Sequence, residues 1–295
     1  MPRPIQTALT RAIAQGTASR ALPRARAQAD RLNGQLATGL RVQKPSDDPA
    51  GFARARELGG LQDRLAQHTR GIDAAQLWTD RTQAELDALS DLFAGAYEAG
   101  VRAANGILDA EEFARQIESA RDEAIARLNA TSGGEYLFAG NQTATRPVNP
   151  DGSLAAGDFS GARQREVAPG VTIAVNTVGA LDVGGVPAPD RLQALADALR
   201  SGDQAATQDA LAGVQAGIDH YARLGGRSGA VSRQLQTARA ANEAHDAVLG
   251  EHRAAIEEID LAEVLGQSQR QQTALEAALR ATATSVQTSI LNYLR

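Results

Sequence analysis

Helix breakers in this chain are concentrated in one interval, and that concentration restricts its fold more than any other feature. Five of the ten prolines (Pro147, Pro150, Pro169, Pro187 and Pro189) and ten of the 28 glycines (between Gly133 and Gly185) fall within it. Proline lacks the backbone donor a helix needs and glycine gives up the most backbone entropy, so this interval is not helical. On either side the chain is rich in Ala, Leu, Arg, Gln and Glu, which favour helix. The predicted architecture is mainly α, with helical flanks around a small β-rich insert (α+β overall). Aromatic residues make up only 3% of the chain, and alanine is the largest single contributor to the apolar count. A large ring buries roughly 150–250 Å². A core so poor in rings suits long helices packed closely side by side better than one thick globule.

The flanks divide further. In 1–45, Ile5, Leu9 and Ile13 begin a sparse apolar stripe that resumes past Pro23 with Leu22, Ala25, Ala29, Leu32 and Leu36. A kink or break is expected at Pro23, and Thr38-Gly39 ends the segment. Residues 46–133 read as the first half of a helical rod. Ser46, Asp47 or Asp48 caps its first helix, and Pro49 takes the first helical position if Asp48 is the cap. Leu61, Leu65, Ile72, Leu77, Leu86, Leu89 and Phe93 form its apolar side. A turn at Asn105-Gly106 leads to a helix over about 109–129, built on Phe113, Ile117, Ile125 and Leu128 and closed by Thr131–Gly134. In the insert, 134–186, Tyr136–Phe138, Arg165–Val167 and Val171–Val175 are strand candidates, with a turn at Pro169-Gly170. So small a β unit must pack on helices to be stable.

The rod's second half, 187–255, opens with Leu192, Leu195 and Leu199, is closed at Ser201-Gly202, and continues as a long helix from near Asp203 past Gly225-Gly226. In 256–295, Leu261, Leu265, Ser268, Gln272, Leu275, Leu279, Thr282, Val286, Ile290 and Tyr293 recur every three or four residues, and Leu294 extends the apolar set. That is a coiled-coil-like seam weakened by polar members. Helix nucleation is costly and packing normally stabilises a helix. A weak seam at each end therefore predicts that the ends pair with each other or with neighbours.

No constellation for catalysis stands out. Cys is absent, which excludes disulfides and thiol nucleophiles. His245 and His252 are seven apart on a helix, roughly 10 Å at 1.5 Å rise per residue, too far to hold one metal directly. The stretch Asn149–Ser160 faintly has the form of a calcium loop, but Leu154 and Ser160 stand where glycine and glutamate are required, so a turn is expected. Asp47-Asp48 reads as a helix cap rather than an acid pair, and Trp78 as core. The net charge of −5 argues against a nucleic-acid partner. No run of about 18 apolar residues predicts membrane insertion. The opening MPRPIQTALTRAIAQG lacks the apolar stretch of a cleaved secretory signal, so if the chain leaves the cell it is expected not to use that route.

Two segments carry a resemblance. Leu36-Ala37-Thr38-Gly39-Leu40-Arg41-Val42, followed by Lys44-Pro45-Ser46-Asp47-Asp48-Pro49-Ala50-Gly51, resembles the N-terminal signature of flagellins. Asp260-Leu261-Ala262-Glu263, Gln271-Gln272-Thr273-Ala274-Leu275 and the ending Ser289–Arg295 resemble the matching C-terminal signature. Both occur in the right order, over about the first 140 and last 100 residues. Gly134–Gly140, Gly157-Asp158 and Pro169–Thr172 are similar to the branch of the family at the hook–filament junction. Pro23 departs from the family pattern. The resemblance implies a structural subunit of the bacterial flagellum, extracellular, exported unfolded without a cleaved signal, with no enzymatic activity and no cofactor. It implies terminal segments that are largely disordered in the free subunit and pair as a coiled coil on assembly. It also implies a ring of identical subunits, with hook-associated protein 1, flagellin and a flagellar export chaperone as partners. The alternatives are a short flagellin that polymerises as the filament itself, and a helical signalling or adhesion domain.

Overall fold

The computed structural model describes residues 23–106 and 110–293, with side chains of the last helix described to Arg280. Ile5, Leu9, Ile13 and Leu294, and the side chains of Val286 and Ile290, lie outside that description. So does the turn preceding Pro23, where a kink is expected. Helix α1 covers 23–38. It is followed by α2 (Pro49–Ala104), α3 (Ala110–Leu128), α4 (Ala188–Ser201), α5 (Gln204–Glu257) and α6 (Leu261–Tyr293). Two compact units result. One contains 1–62 and 247–295, the other 63–246, and the long helices α2 and α5 contribute to both.

In the 63–246 unit, α2, α3, α4 and α5 share one core. Leu86, Leu89 and Phe93 of α2 meet Ile117 and Leu128 of α3, Leu192 and Leu195 of α4, and Val214, Tyr221 and Leu224 of α5, all buried. Each such side chain contributes about 1.5–3 kcal/mol by leaving water. Tyr221 lies edge-on to Phe93, with centroids 5.3 Å apart, and donates its hydroxyl to the Ala180 carbonyl at 3.0 Å. The approach of α5 to α2 depends on Gly217: a Cβ there would lie 2.3 Å from a Phe93 ring carbon. Small residues thus let these helices pack closely. Leu77 departs from the apolar side expected for α2 and is 68% exposed. At 100° per residue it shares the outward face of Asp73, Asp80 and Arg81, whereas its neighbour Trp78 is buried.

The insert forms three separate antiparallel hairpins rather than one sheet. The first pairs β1 (Thr131–Ser132) with β2 (Glu135–Tyr136), the second β3 (Gln164–Ala168) with β4 (Val171–Ala174), and the third β5 (Asp182–Val183) with β6 (Val186–Pro187). The first and third turn on Gly133-Gly134 and Gly184-Gly185, all at positive φ, as tight hairpins require. Thr131-Ser132 is therefore strand rather than helix end, and α3 stops at Leu128. The second hairpin packs on helices: Val167 and Val175 join Ile72 and Ala75 of α2 and Leu235 of α5. Asn242 of α5 donates to the Val167 carbonyl at 3.0 Å.

Arg200 of α4 reaches Glu111 at 3.1 Å and Glu118 at 2.5 Å on α3. Its hydrogen bond holds the Glu118 carboxyl below the usual range. A carboxyl with a depressed folded-state pKa stabilises at neutral pH, and that contribution disappears as pH falls through the folded value. Arg200→Gln is therefore expected to flatten the loss of thermal midpoint below about pH 5, relative to the parent, in calorimetric scans. Gly217→Leu is expected to lower stability in urea by about 1–3 kcal/mol through overpacking against Phe93, whereas Gly226→Leu, whose Cβ meets nothing within 4 Å, leaves the midpoint nearly unchanged.

Candidate assembly site

The two signature segments converge in the unit that holds the chain ends. Helix α1 stops at Gly39, which sits at φ 73° and donates its N–H to the Gln35 carbonyl at 2.8 Å. Left-handed φ is inexpensive only for glycine, and it turns the chain out of the helix. The connector that follows runs antiparallel to the link between α5 and α6. The Arg41 N–H donates to the Glu257 carbonyl at 2.6 Å, and the Ile259 N–H to the Gly39 carbonyl at 3.0 Å. Leu40 and Glu258 form an antiparallel bridge. The Arg41 guanidinium adds a bond to the Ile256 carbonyl at 2.8 Å, across 215 residues of sequence. Val42 is buried beneath this ladder. Gln43 braces the turn from the outside, donating to the Thr38 hydroxyl at 2.6 Å and the Leu40 carbonyl at 3.2 Å.

Each connector ends in an N-cap. Asp48 accepts the Gly51 N–H at 2.9 Å, and Pro49 occupies the first helical position of α2. Asp47 turns the other way and accepts the N–H groups of Gln43 and Lys44, each at 3.2 Å, while Ser46 is exposed. Arg41 lies 3.6 Å from Asp48, so one side chain touches both the cap of α2 and the end of α5. Asp260 caps α6 by accepting the Glu263 N–H at 3.1 Å. The D-x-x-E spacing of Asp260 and Glu263, which the reading of the sequence did not use as a cap, is the signal that marks this start. Nothing comparable marked Gln43 or Ile259, whose roles follow from backbone pairing.

Beyond the ladder α1 and α6 run antiparallel, and the Gln271 amide donates to the Ala25 carbonyl at 3.0 Å. On α1 the covered stripe is Ala25, Ala29, Leu32 and Leu36. On α6 it is Val264, Ser268, Gln271, Leu275 and Ala278. That stripe is rotated by one residue from the expected seam. Ser268 and Leu275 belong to both, whereas Leu261, Leu265 and Leu279 are exposed. The described parts of both ends, 23–38 and Leu261–Tyr293, are helical.

The other candidates are structural in their surroundings. Trp78 is buried under the Arg163 guanidinium, 4.8 Å from its ring centroid. His245 and His252 are exposed on α5. Asp151 and Asp158 each accept both the N–H and the hydroxyl of the serine two residues on, which holds both carboxyls below their usual range. Among the described residues no group of three His, Asp or Glu is placed to hold a metal, and no helix is long and apolar enough to cross a membrane.

Residues 10–143 match the bacterial flagellin N-terminal helical region. Flagellar hook-associated protein 3 of Escherichia coli K12 is 31% identical over 135 residues, 44% of this chain and 43% of that protein. Its Salmonella typhimurium LT2 counterpart is 28% identical over 172 residues, 54% of this chain and 53% of that protein. The chain thus spans about half the length of the curated relatives it matches. The crystal structure of the flagellar junction protein FlgL from Legionella pneumophila shares the fold, with a TM-score of 0.56 and 16% identity over 69% of this chain and 99% of that one. Residues 10–143 are thus similar to the flagellin N-terminal helical region, and about half of the chain is similar to flagellar hook-associated protein 3.

Proposed function

We propose that this protein is a structural, non-catalytic subunit of the bacterial flagellum that joins hook to filament. The carrying observation is the ladder that clasps the two connectors together. It joins the N-terminal signature segment to the residues directly before the C-terminal one, through backbone pairing and helix capping. The names of the relatives, hook-associated protein 3 and junction protein, point the same way.

In this reading the antiparallel pairing of α1 and α6 continues as a coiled coil of the two chain ends, and copies assemble as a ring. Hook-associated protein 1 lies on one side and flagellin on the other, with delivery by a flagellar export chaperone and no cleaved signal. Residues 1–45 and 256–295 are the coiled-coil segments, 46–133 and 187–255 the rod, and 134–186 the β-rich insert. Burial of the apolar stripes against neighbours offsets the cost of ordering the ends, roughly 1–2 kcal/mol per residue in backbone entropy.

Cells lacking the gene are expected to make hooks without filaments and to shed flagellin into the medium, as seen by negative-stain imaging and blotting of the supernatant. Normal filaments on the deletion strain would sink the junction reading. Long filaments grown from the purified chain alone would favour the short-flagellin alternative.

A further inference from the structure

The chain contains two Asn-Gly pairs, Asn33-Gly34 and Asn105-Gly106, and the fold holds them in opposite ways. Glycine has no Cβ to shield its backbone nitrogen, so an asparagine before it is open to attack by that nitrogen. The reaction needs the nitrogen released from its hydrogen bond and swung towards the asparagine side chain. Asn33-Gly34 lies inside α1. Helical ψ, about −42°, points the following nitrogen away from the side chain, and the i to i−4 ladder keeps it there. The Thr38 hydroxyl and the Gln43 amide both donate to the Gly34 carbonyl, at 3.0 and 3.4 Å, and pin this turn further.

Asn105-Gly106 lies just past the end of α2, and both residues are exposed. The Asn105 N–H still reaches the Val101 carbonyl at 3.2 Å, but the Gly106 N–H has dropped to the Ala103 carbonyl, three residues back, at 3.1 Å. Gly106 has left helical geometry, at φ 70°. Its nitrogen is therefore held by a single bond at a helix end, where opening is easiest. The Asn105 side-chain amide has no hydrogen bond among the described residues, so nothing fixes its Cγ. Asn129 and Asn176 are the contrast. The Asn129 amide donates to the Ile125 and Val148 carbonyls and the Asn176 amide to that of Gly161, and neither residue precedes a glycine.

We infer that Asn105 is a site of spontaneous deamidation, and that Asn33, with the same neighbour, is protected by α1. The Gly106 nitrogen attacks the Asn105 Cγ. A C–N bond forms, the Cγ–Nδ2 bond breaks, and Nδ2 leaves as ammonia with the proton given up by the Gly106 nitrogen. Water then opens the resulting succinimide ring at either carbonyl, giving aspartate or isoaspartate. Either product puts a carboxylate at the C-terminal end of α2, where the helix dipole disfavours negative charge. Ala103, buried in the core of the 63–246 unit, belongs to that last turn, so the modification loosens the helix end from the core. This holds whatever the chain assembles with.

The purified full chain is kept at mildly alkaline pH for weeks and sampled. Brief trypsin digestion releases peptides 32–41 and 103–115, which are quantified by mass spectrometry with fragmentation that distinguishes isoaspartate. Peptide 103–115 is expected to gain the acid form, as both products, about tenfold faster than 32–41 or more. In denaturing urea the two pairs should convert at rates within about threefold of each other, because the helix that protects Asn33 is gone. No conversion at Asn105, or equal conversion of both pairs in the folded chain, overturns the inference. A preference that persists unchanged in urea overturns it as well, since the fold would then not be its cause. Asn105→Asp gives an independent readout: amide hydrogen exchange over 101–104 should quicken about threefold or more relative to the parent, and unchanged exchange rejects the loosening of α2.

Discussion

The backbone ladder between residues 39–42 and 256–259 is the interaction on which the rest of the chain-end unit depends. A chain leaving a helix exposes carbonyls, and a chain entering one exposes N–H groups. Here two helices end and two begin within a few residues, so many backbone groups need partners at once. The two connectors satisfy one another: Arg41 donates to Glu257, and Ile259 donates to Gly39. Removing either connector leaves the other with unpaired polar groups, each costing about 1–3 kcal/mol if buried. The ladder thus ties the N-terminal signature to the residues directly before the C-terminal one, and the aspartates that follow, Asp48 and Asp260, cap the helix that each connector leads into.

Much of this was legible before any coordinates. Pro49 preceded by an aspartate marks a helix start because proline's fixed φ suits the first helical position and the carboxylate suits the cap. Pro169-Gly170 marks a turn for equally local reasons, and the β3–β4 hairpin closes there. The hairpins at β1–β2 and β5–β6 were missed because two-residue strands have no periodicity to detect. Their one sign is a Gly-Gly pair. Leu77 departs from the expected stripe because apolar spacing drifts around a long helix, and one residue of offset is a 100° rotation. The same rotation separates the expected seam of α6 from the stripe that faces α1. Ser268 and Leu275 satisfy both patterns, and only the partner's position decides between Val264 and Leu265.

That ambiguity has a physical content. The face of α6 suited to burial is wider than the contact α1 provides. In the 63–246 unit the few rings are spent on a complete core, with Phe93, Tyr221, Phe113, Phe138 and Trp78 all buried. The α2–α5 approach is set there by glycine and small polar residues such as Gly217 and Ser228. The chain-end unit has no such core. Its buried apolar residues are Leu32, Val42, Ala55, Leu249 and Val264 among those described, while Leu261, Leu265, Leu279 and Val248 stay exposed. Small units bury a smaller share of their surface and gain correspondingly little from it.

One unit is thus self-sufficient and the other has apolar surface left over. Contiguous exposed leucines are a liability for a free subunit, because they promote contacts with any apolar surface. The flanking carboxylates at Glu258, Asp260 and Glu263 counter this by keeping the start of α6 hydrated and repelling acidic neighbours. Along α1 and its connector Arg24, Arg26, Arg31, Arg41 and Lys44 alternate with Asp30, Asp47 and Asp48, so no large field of one sign develops there. The carboxylates that border the exposed leucines are therefore what limits non-specific association at the start of α6.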